Sequence, residues 1–505
     1  MEVILYPRAA PCNELKIWIG VFGVTTTPTL EWFFGDSWIA DASKLPTALR
    51  PIKSVRPNSL FINPARAPEV PRAFSGVYQF TELDPDRNYV IKARADGKES
   101  KPLTVRTLPR HLPKGPEGRF NILLVSCFFQ PGDGGALEST LARLQPALRP
   151  DLTLMAGDQV YLDMPALKDF PIESPELAEI FENNYSRNWL QTPGYARLLS
   201  MAPTLSMADD HEYWNNYPNI CPWNLNTLSQ ENRDKWEAAA KSMWEGFQMS
   251  YPSKNEPPSQ NEWPPTAGDP VVLDIDPISI FMADTRTTKE YKGKYTLDPK
   301  HLKKLNDWVD RLLREKKTGI FVSGQSLLQA KVDGSVKALA AGYSLSNYED
   351  YADILKALRR LADGGRPVLF LTGDVHWSRI TTIRDVGNGR MGFCEVISSP
   401  TSLVDTPGWD QLWTAKNAVA KLINKGEYWP RHSRPQPPPE NLAPEVFRSA
   451  FKCDPGPDYQ GNCACLLSFN QGAAGVDLNV RFIPITSDAE HGRIGDKYPI
   501  PLAAK

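Results

Sequence analysis

Four apolar runs in this chain stop on the same kind of residue. "FNILLVSC" stops at Cys127, "LTLMAGD" at Asp158, "LSMADDHE" at Asp209 to Glu212, and "VLFLTGDVH" at Asp374 and His376. None of the runs alternates polar with apolar, so each reads as a strand buried on both faces. Helical patterns separate them, which argues for a layered α/β architecture between about 120 and 400. Side chains two apart on a strand share a face, so Asp374 and His376 can point into one site. In layered α/β folds ligands gather beyond the carboxyl ends of the strands. One such ending is explained by a strand meeting water; four on one chain point to a common site.

The rest of the chain is organised around that block. Residues 1–110 carry short strand patterns, a tight-turn signal at Asp96-Gly97, and Leu83, Pro85 and Tyr89 in the spacing of a tyrosine corner. They read as a fibronectin- or immunoglobulin-like β-sandwich that packs or positions and carries no catalytic cluster. "LPRHLPKGPEGR" at 108–119 reads as a linker, and 119–505 as one catalytic domain with a Pro-rich segment near its end. Helices are expected near 136–148, 176–200, 227–249 and 347–363, and over "DPKHLKKLNDWVDRLLREKK", with Asp298 as N-cap. In the 227–249 helix, Trp236, Ala240, Trp244 and Phe247 form a core-facing stripe. "CACLLSFNQ" and "GVDLNVRFIP" are expected as the last strands.

Composition excludes several classes. Across 505 residues, 57 basic and 59 acidic side chains leave a net charge of −2, so no global field gathers nucleic acid or an anionic membrane. No run approaches the roughly 20 apolar residues needed to cross a bilayer. The start lacks a basic and then apolar leader, which favours an intracellular location. Seven cysteines, an odd count, do not read as a disulfide framework, and Cys463 and Cys465 read as ordinary strand residues. His111, His301 and His432 are expected on the solvated surface. Trp214, Trp223 and Trp377 are expected to pack.

"GDQVY", "ADDHEYWNN", "DTR" and "GDVHWS", opened by "SC", resemble the PhoD-like alkaline phosphatase and phosphodiesterase family of the calcineurin-like metallophosphoesterases, which is related to the purple acid phosphatases. The resemblance covers most of 1–400. It implies a four-layer αββα core behind the β-sandwich. It also implies hydrolysis of phosphate monoesters or diesters by a metal-activated hydroxide at a dinuclear or multinuclear site, with a small phosphorylated substrate. Two cations about 3.5–4 Å apart can clamp attacking and leaving oxygens, and Asp158 is the candidate bridging carboxylate. Tyr161 repeats the spacing at which the purple acid phosphatases bind ferric iron. With Cys127 and His376 it makes a softer site suited to Fe³⁺. Asp158, Asp210 and Asp374 make an oxygen-rich site suited to Ca²⁺, with Mn²⁺, Mg²⁺ or Zn²⁺ as alternatives. Asn215 and Asn216 either add carbonyl ligands or shape a turn.

His211 is the candidate proton donor to the leaving oxygen; the alternative is a structural histidine bonded to Glu212 or backbone. Arg286 either holds phosphate oxygens or pairs with Asp284 or Asp209. Cys127 does not read as a covalent nucleophile, since the position six beyond it is Asp133 rather than Arg. Gly132, Gly134 and Gly135 read as the turn after its strand. Two rivals stay open: a non-catalytic protein that binds phosphorylated ligands, and a related metallohydrolase acting on non-phosphate esters.

Overall fold

Phe120–Val125, Leu152–Ala156 and Thr204–Met207 lie parallel and adjacent at the centre of a ten-stranded sheet. Ile278–Met282, Thr318–Ser323, Val368–Thr372 and Met391–Ile397 lie parallel in a second sheet of seven. The computed structural model describes residues 1–24, 28–34, 37–39, 50–51, 73–115, 118–166, 168–221, 223–248, 268–328, 345–385, 389–404, 451–459, 461–472, 475–488 and 494–502.

The two sheets share one dry interior. Leu124, Leu154 and Leu205 from the first meet Ile280, Val322, Leu371 and Val396 from the second. Helices Ser174–Leu190 and Gln230–Phe247 cover the outer face of the first sheet. Pro299–Glu315 and Tyr351–Asp363 cover the outer face of the second. That is the expected αββα order, and it explains the unbroken apolar runs: each strand has a helix on one face and a sheet on the other. Trp236, Ala240, Trp244 and Phe247 are all buried, as their spacing predicts. Asp298 caps its helix by accepting from the His301 amide at 2.9 Å.

The N-terminal region is a β-sandwich, with its own core of Ile17, Trp32, Phe74 and Ile91. Asp96 and Gly97 both have positive φ in the two-residue turn after Asn88–Ala95. The Tyr89 hydroxyl accepts from the Asp84 amide at 3.1 Å, closing the tyrosine corner. One sheet of this sandwich is not separate. Glu2–Arg8, Leu15–Phe22 and Ala73–Phe80 extend the ten-stranded sheet, joined where Glu2–Arg8 runs parallel to Thr204–Met207. The 108–115 stretch is not a loose tether either: Leu108 and Leu112 are buried, and the Leu112 amide donates to the Asp276 carbonyl at 2.7 Å. The strand Phe451–Tyr459, which the sequence did not suggest, closes the outer edge of the seven-stranded sheet against Ser378–Asp385. Much of the Pro-rich segment, His432 included, lies outside the described residues. No helix among the described residues is long and apolar enough to cross a membrane.

Candidate metal centre

The carboxyl ends of both sheets converge. The Ser126 hydroxyl donates to the Ser398 carbonyl at 2.7 Å, tying the end of one sheet to the end of the other. A Cβ on Gly373 would fall 2.7 Å from the Ala156 carbonyl oxygen, and one on Gly324 would fall 2.8 Å from the Asp209 carboxylate. A Cβ on Gly157 would overlap that of Asp209, and Gly157 has φ +87°. These glycines stand where the chain has no room for a side chain.

Beyond these glycines the backbone turns sharply. Cys127, Asp158, Asp374 and His376 all have positive φ, between 53° and 56°. Each such residue costs about 1 kcal/mol or more, a strain that clusters at functional sites. The left-handed turn swings each side chain off the strand axis toward the same point. So Asp374 and His376 both come within reach of Asp158, from left-handed residues on either side of Val375 rather than through β alternation.

Ligand atoms of Cys127, Asp158 and His376 lie within 4.8 Å of one another. So do those of Asp158, Asp210 and His211, and those of Asp158, Asp209, Asp210 and Asp374. Asp158 is common to all three groups, where a bridging carboxylate belongs. The Cys127 Sγ sits 3.5 Å from an Asp158 carboxylate oxygen and accepts from the Ser399 hydroxyl at 3.1 Å. The Tyr161 phenol oxygen, buried close enough to Cys127 and Asp158 to feel their charge, has no hydrogen-bond partner among the described residues. One oxygen each of Asp209 and Asp210 is likewise buried and has no hydrogen-bond partner among the described residues.

Buried polar atoms are normally satisfied. Three orphans around one carboxylate cluster, with a thiol and an imidazole beside them, fit a centre built for cations. Electrostatics agrees. Burial, then Asp210, drives the Asp158 carboxyl well above the usual carboxylate range, and burial with Asp209 does the same to Asp374. Burial, partly offset by Arg286, pushes Asp209 to about 6. Asp210 ends below its ordinary value, because Arg286, His211 and the Asn216 amide outweigh burial. Such a cluster resists ionising without added positive charge.

His211 is oriented by a partner the sequence did not suggest. Its Nδ1 lies 2.7 Å from Asp163 Oδ1, and its ring lies over Tyr161 with centroids 4.2 Å apart. Burial would lower the imidazole's pKa, but Asp163 and Asp158 raise it well above its ordinary value. Asp163 follows Asp158 by five residues; only that proximity to "GDQVY" hinted at it. Glu212 does not bond His211. Its carboxylate accepts from the amides of Asp158, Gln159 and Asp209 at 2.7–2.9 Å, fastening two strand ends together.

Arg286 takes the paired alternative. Its Nε donates to Asp209, its Nη1 to the Tyr217 carbonyl at 3.3 Å, and its Nη2 faces Asp374 at 3.7 Å. It is 1% exposed, and its guanidinium faces the acids of the cluster. Gln325 also donates to Asp209, at 2.7 Å. Asn215 and Asn216 stand in a turn, their backbone amides donating to Asp163 and Asp210 at 2.8 and 2.6 Å with Asn216 at φ +65°, and the Asn215 side-chain amide lies 3.3 Å from His211 Nε2. Gly134 and Gly135, both at positive φ, form the expected turn. His301 departs from expectation: it is buried, with Nε2 3.0 Å from Asp269, because it faces inward on its helix. His111 is exposed as expected, Trp214 and Trp377 pack, and Cys463 and Cys465 are buried strand thiols.

Helix, sheet, sheet and helix, with acids, a thiol and an imidazole gathered at one sheet end, define the four-layer metallophosphoesterase fold preceded by a β-sandwich. Within that class the fold is PhoD-like. The solved structure titled "Structure of PhoD" matches with a TM-score of 0.58 at 12% identity, covering 98% of this chain and 88% of that one. Purple acid phosphatase PPD1 from yellow lupin (Lupinus luteus) seeds matches with a TM-score of 0.55, also at 12% identity, covering 99% and 74%. A scan against protein-family models and a search of curated proteins found no match.

Proposed function

We propose that this protein is a metal-dependent hydrolase of phosphate esters. The observation that carries the reading is the gathering of Cys127, Asp210, Asp374 and His376 about Asp158, with the buried Tyr161 phenol close enough to feel the charge of Cys127 and Asp158. Cys127, Tyr161 and His376 would hold the softer cation, favouring Fe³⁺; Asp210 and Asp374 would hold the harder one, favouring Ca²⁺; Asp158 would serve both. Bound there, the cations supply Lewis acidity that activates water and neutralises phosphate charge. The chain supplies the rest. Asp163 fixes the His211 ring by holding Nδ1, and the Asn215 side-chain amide lies 3.3 Å from Nε2, the nitrogen that would hand a proton to the departing oxygen. Arg286 offsets the charge of Asp209 and Asp374, and Ser399 holds the thiol in place.

Metal analysis of the purified protein, with turnover of p-nitrophenyl phosphate and bis(p-nitrophenyl) phosphate, tests the reading. Bound transition metal and hydrolysis of either ester are expected. No transition metal and no turnover across pH and added metals would sink it. Hydrolysis of p-nitrophenyl acetate alone would favour a non-phosphate esterase.

A further inference from the structure

One hydroxyl touches two of the residues proposed to hold the softer cation. Ser399 Oγ accepts from the His376 amide at 2.9 Å and donates to the Cys127 sulfur at 3.1 Å. A serine hydroxyl carries a single proton, and with the His376 N–H pointing at the oxygen that proton faces the sulfur. Ser126 is a second hydroxyl near the sulfur, at 3.4 Å, but its shorter bond is to the Ser398 carbonyl at 2.7 Å. Cys127 and Ser399 are both wholly buried. The hydroxyl is held from both sheets. The "SSPTS" stretch at 398–402 leaves Met391–Ile397 in the seven-stranded sheet and crosses to the end of Phe120–Val125 in the ten-stranded one. Ser398 Oγ donates to the Leu124 carbonyl at 2.7 Å, and the Thr401 and Ser402 amides donate to the Ser126 and Cys127 carbonyls at 2.8 and 3.0 Å. The Ser399 amide itself donates to Ser378 Oγ at 3.0 Å.

A neutral thiol is a weak acceptor, and the Cys127 thiol has its own acceptor in the Asp158 carboxylate, 3.5 Å away. An O–H aimed at such a thiol adds little to the fold. The same O–H aimed at a thiolate makes a charge-assisted bond, roughly twice as strong. A cysteine that binds a cation does so as thiolate, so the arrangement suits the sulfur in its ligating state. We infer that Ser399 is a positioning residue of the softer cation site: its hydroxyl fixes the Cys127 sulfur against the backbone that carries the His376 ring, and it draws charge from the thiolate. Hydrogen bonds of this kind steady a ligand's orientation and tune its strength as a donor. The inference rests on the reading of Cys127 and His376 as cation ligands made above, and deepens it by naming what sets the sulfur's character.

The test uses the full chain, stripped by chelation and reloaded with Co²⁺, beside its Cys127→Ser, Ser399→Ala and Ser378→Ala variants. The readouts are the energy of the sulfur-to-cobalt charge-transfer band and the Co²⁺ affinity, measured by competition with a chelator. Cys127→Ser should abolish the band, which assigns it to this sulfur. Ser399→Ala removes the donor and leaves the sulfur richer in electrons. The band should move to lower energy and Co²⁺ binding should weaken about 10- to 100-fold. Ser378→Ala loosens the same stretch but keeps the hydroxyl on the sulfur, so its band should stay at the wild-type energy. A band in Ser399→Ala at the wild-type energy, or an equal shift in Ser378→Ala, would overturn the inference. If Ser399→Ala fails to fold, resonance Raman spectra of the wild type decide: a cobalt–sulfur stretch that does not move between H₂O and D₂O counts against a hydroxyl donor. Turnover of p-nitrophenyl phosphate, measured in parallel on the wild type, separates the two readings. A shifted band without turnover sustains the inference and sinks the phosphoesterase reading; turnover without a Cys127-dependent band does the reverse.

Discussion

At the scale of single residues, the site depends on side chains that act through others. Among the described residues Asp163 hydrogen-bonds His211 at Nδ1 and the Asn215 amide. Asp163→Asn should therefore lower kcat about 10- to 100-fold while bound metal stays at the wild-type level. Metal analysis beside steady-state kinetics checks this, and lost metal would make Asp163 part of the cation site instead. Tyr161→Phe is expected to remove a visible phenolate-to-iron charge-transfer band without unfolding the chain, since its hydroxyl has no hydrogen-bond partner among the described residues. An absorption spectrum unchanged by that substitution would argue against iron on the phenolate. Away from the site, Lys16 is buried in Leu15–Phe22, and burial, partly offset by Glu14, lowers its pKa to about 7 from 10.5. A base depressed on folding binds fewer protons folded than unfolded between those values. Its penalty is full below about 7 and absent above 10.5, so it makes stability rise with pH across that window. Lys16→Met should flatten the rise seen in urea unfolding between pH 7 and 9.5.

At the scale of elements, strand ends and the glycines beside them set the geometry. The parallel strands end at a common level, and Gly157, Gly324 and Gly373 let the two sheets close over it. Gly157→Ala combines a clash against Asp209 with a left-handed backbone, and should destabilise the fold by about 2–3 kcal/mol. Chemical denaturation measures this, and a loss under 0.5 kcal/mol would mean the turn relaxes freely. The elements themselves were largely legible. Unbroken apolar runs can only be strands covered on both faces, and the 3.6-residue stripe of Gln230–Phe247 can only face a core. The endings were legible in residue type and less so in cause. β alternation does not bring Asp374 and His376 within reach of Asp158; left-handed backbone at both residues does, and backbone sign has no signature in those letters. The roles of Arg286 and His301 depended on which neighbours lay across the fold, Asp209 and Asp269, which are 77 and 32 residues away.

At the scale of the whole molecule, charge and sheet continuity govern stability. Without cations the centre holds the buried Asp158, Asp209 and Asp210 and the half-buried Asp374 around Arg286 and His211. Chelation should lower the melting temperature by about 5 °C or more, since ligands that bind only the folded state stabilise it. The sign of its pH dependence follows from the acids. Asp158 and Asp374 have raised values when folded, so in the metal-free protein their penalty is full above those values and fades as pH falls toward 3.8. The loss on chelation should be smaller at pH 5 than at pH 8, as differential scanning calorimetry would show. The N-terminal sandwich shares the ten-stranded sheet, and its Trp18 donates to the Gly246 carbonyl of the Gln230–Phe247 helix at 2.8 Å. Residues 1–107 and the core are thus expected to unfold in one transition, and a chain lacking 1–107 to be poorly soluble, because an inner strand edge becomes exposed.

The sequence by itself determined the layered α/β class, the capped and amphipathic helices, the β-rich start and the residue types at the strand ends. All are local or periodic properties, written into neighbouring letters. The tertiary structure decided which of those residues meet, and that the first strands belong to the ten-stranded sheet. Contacts between residues hundreds of positions apart, and the sign of a backbone angle, are products of packing, and no short pattern encodes them.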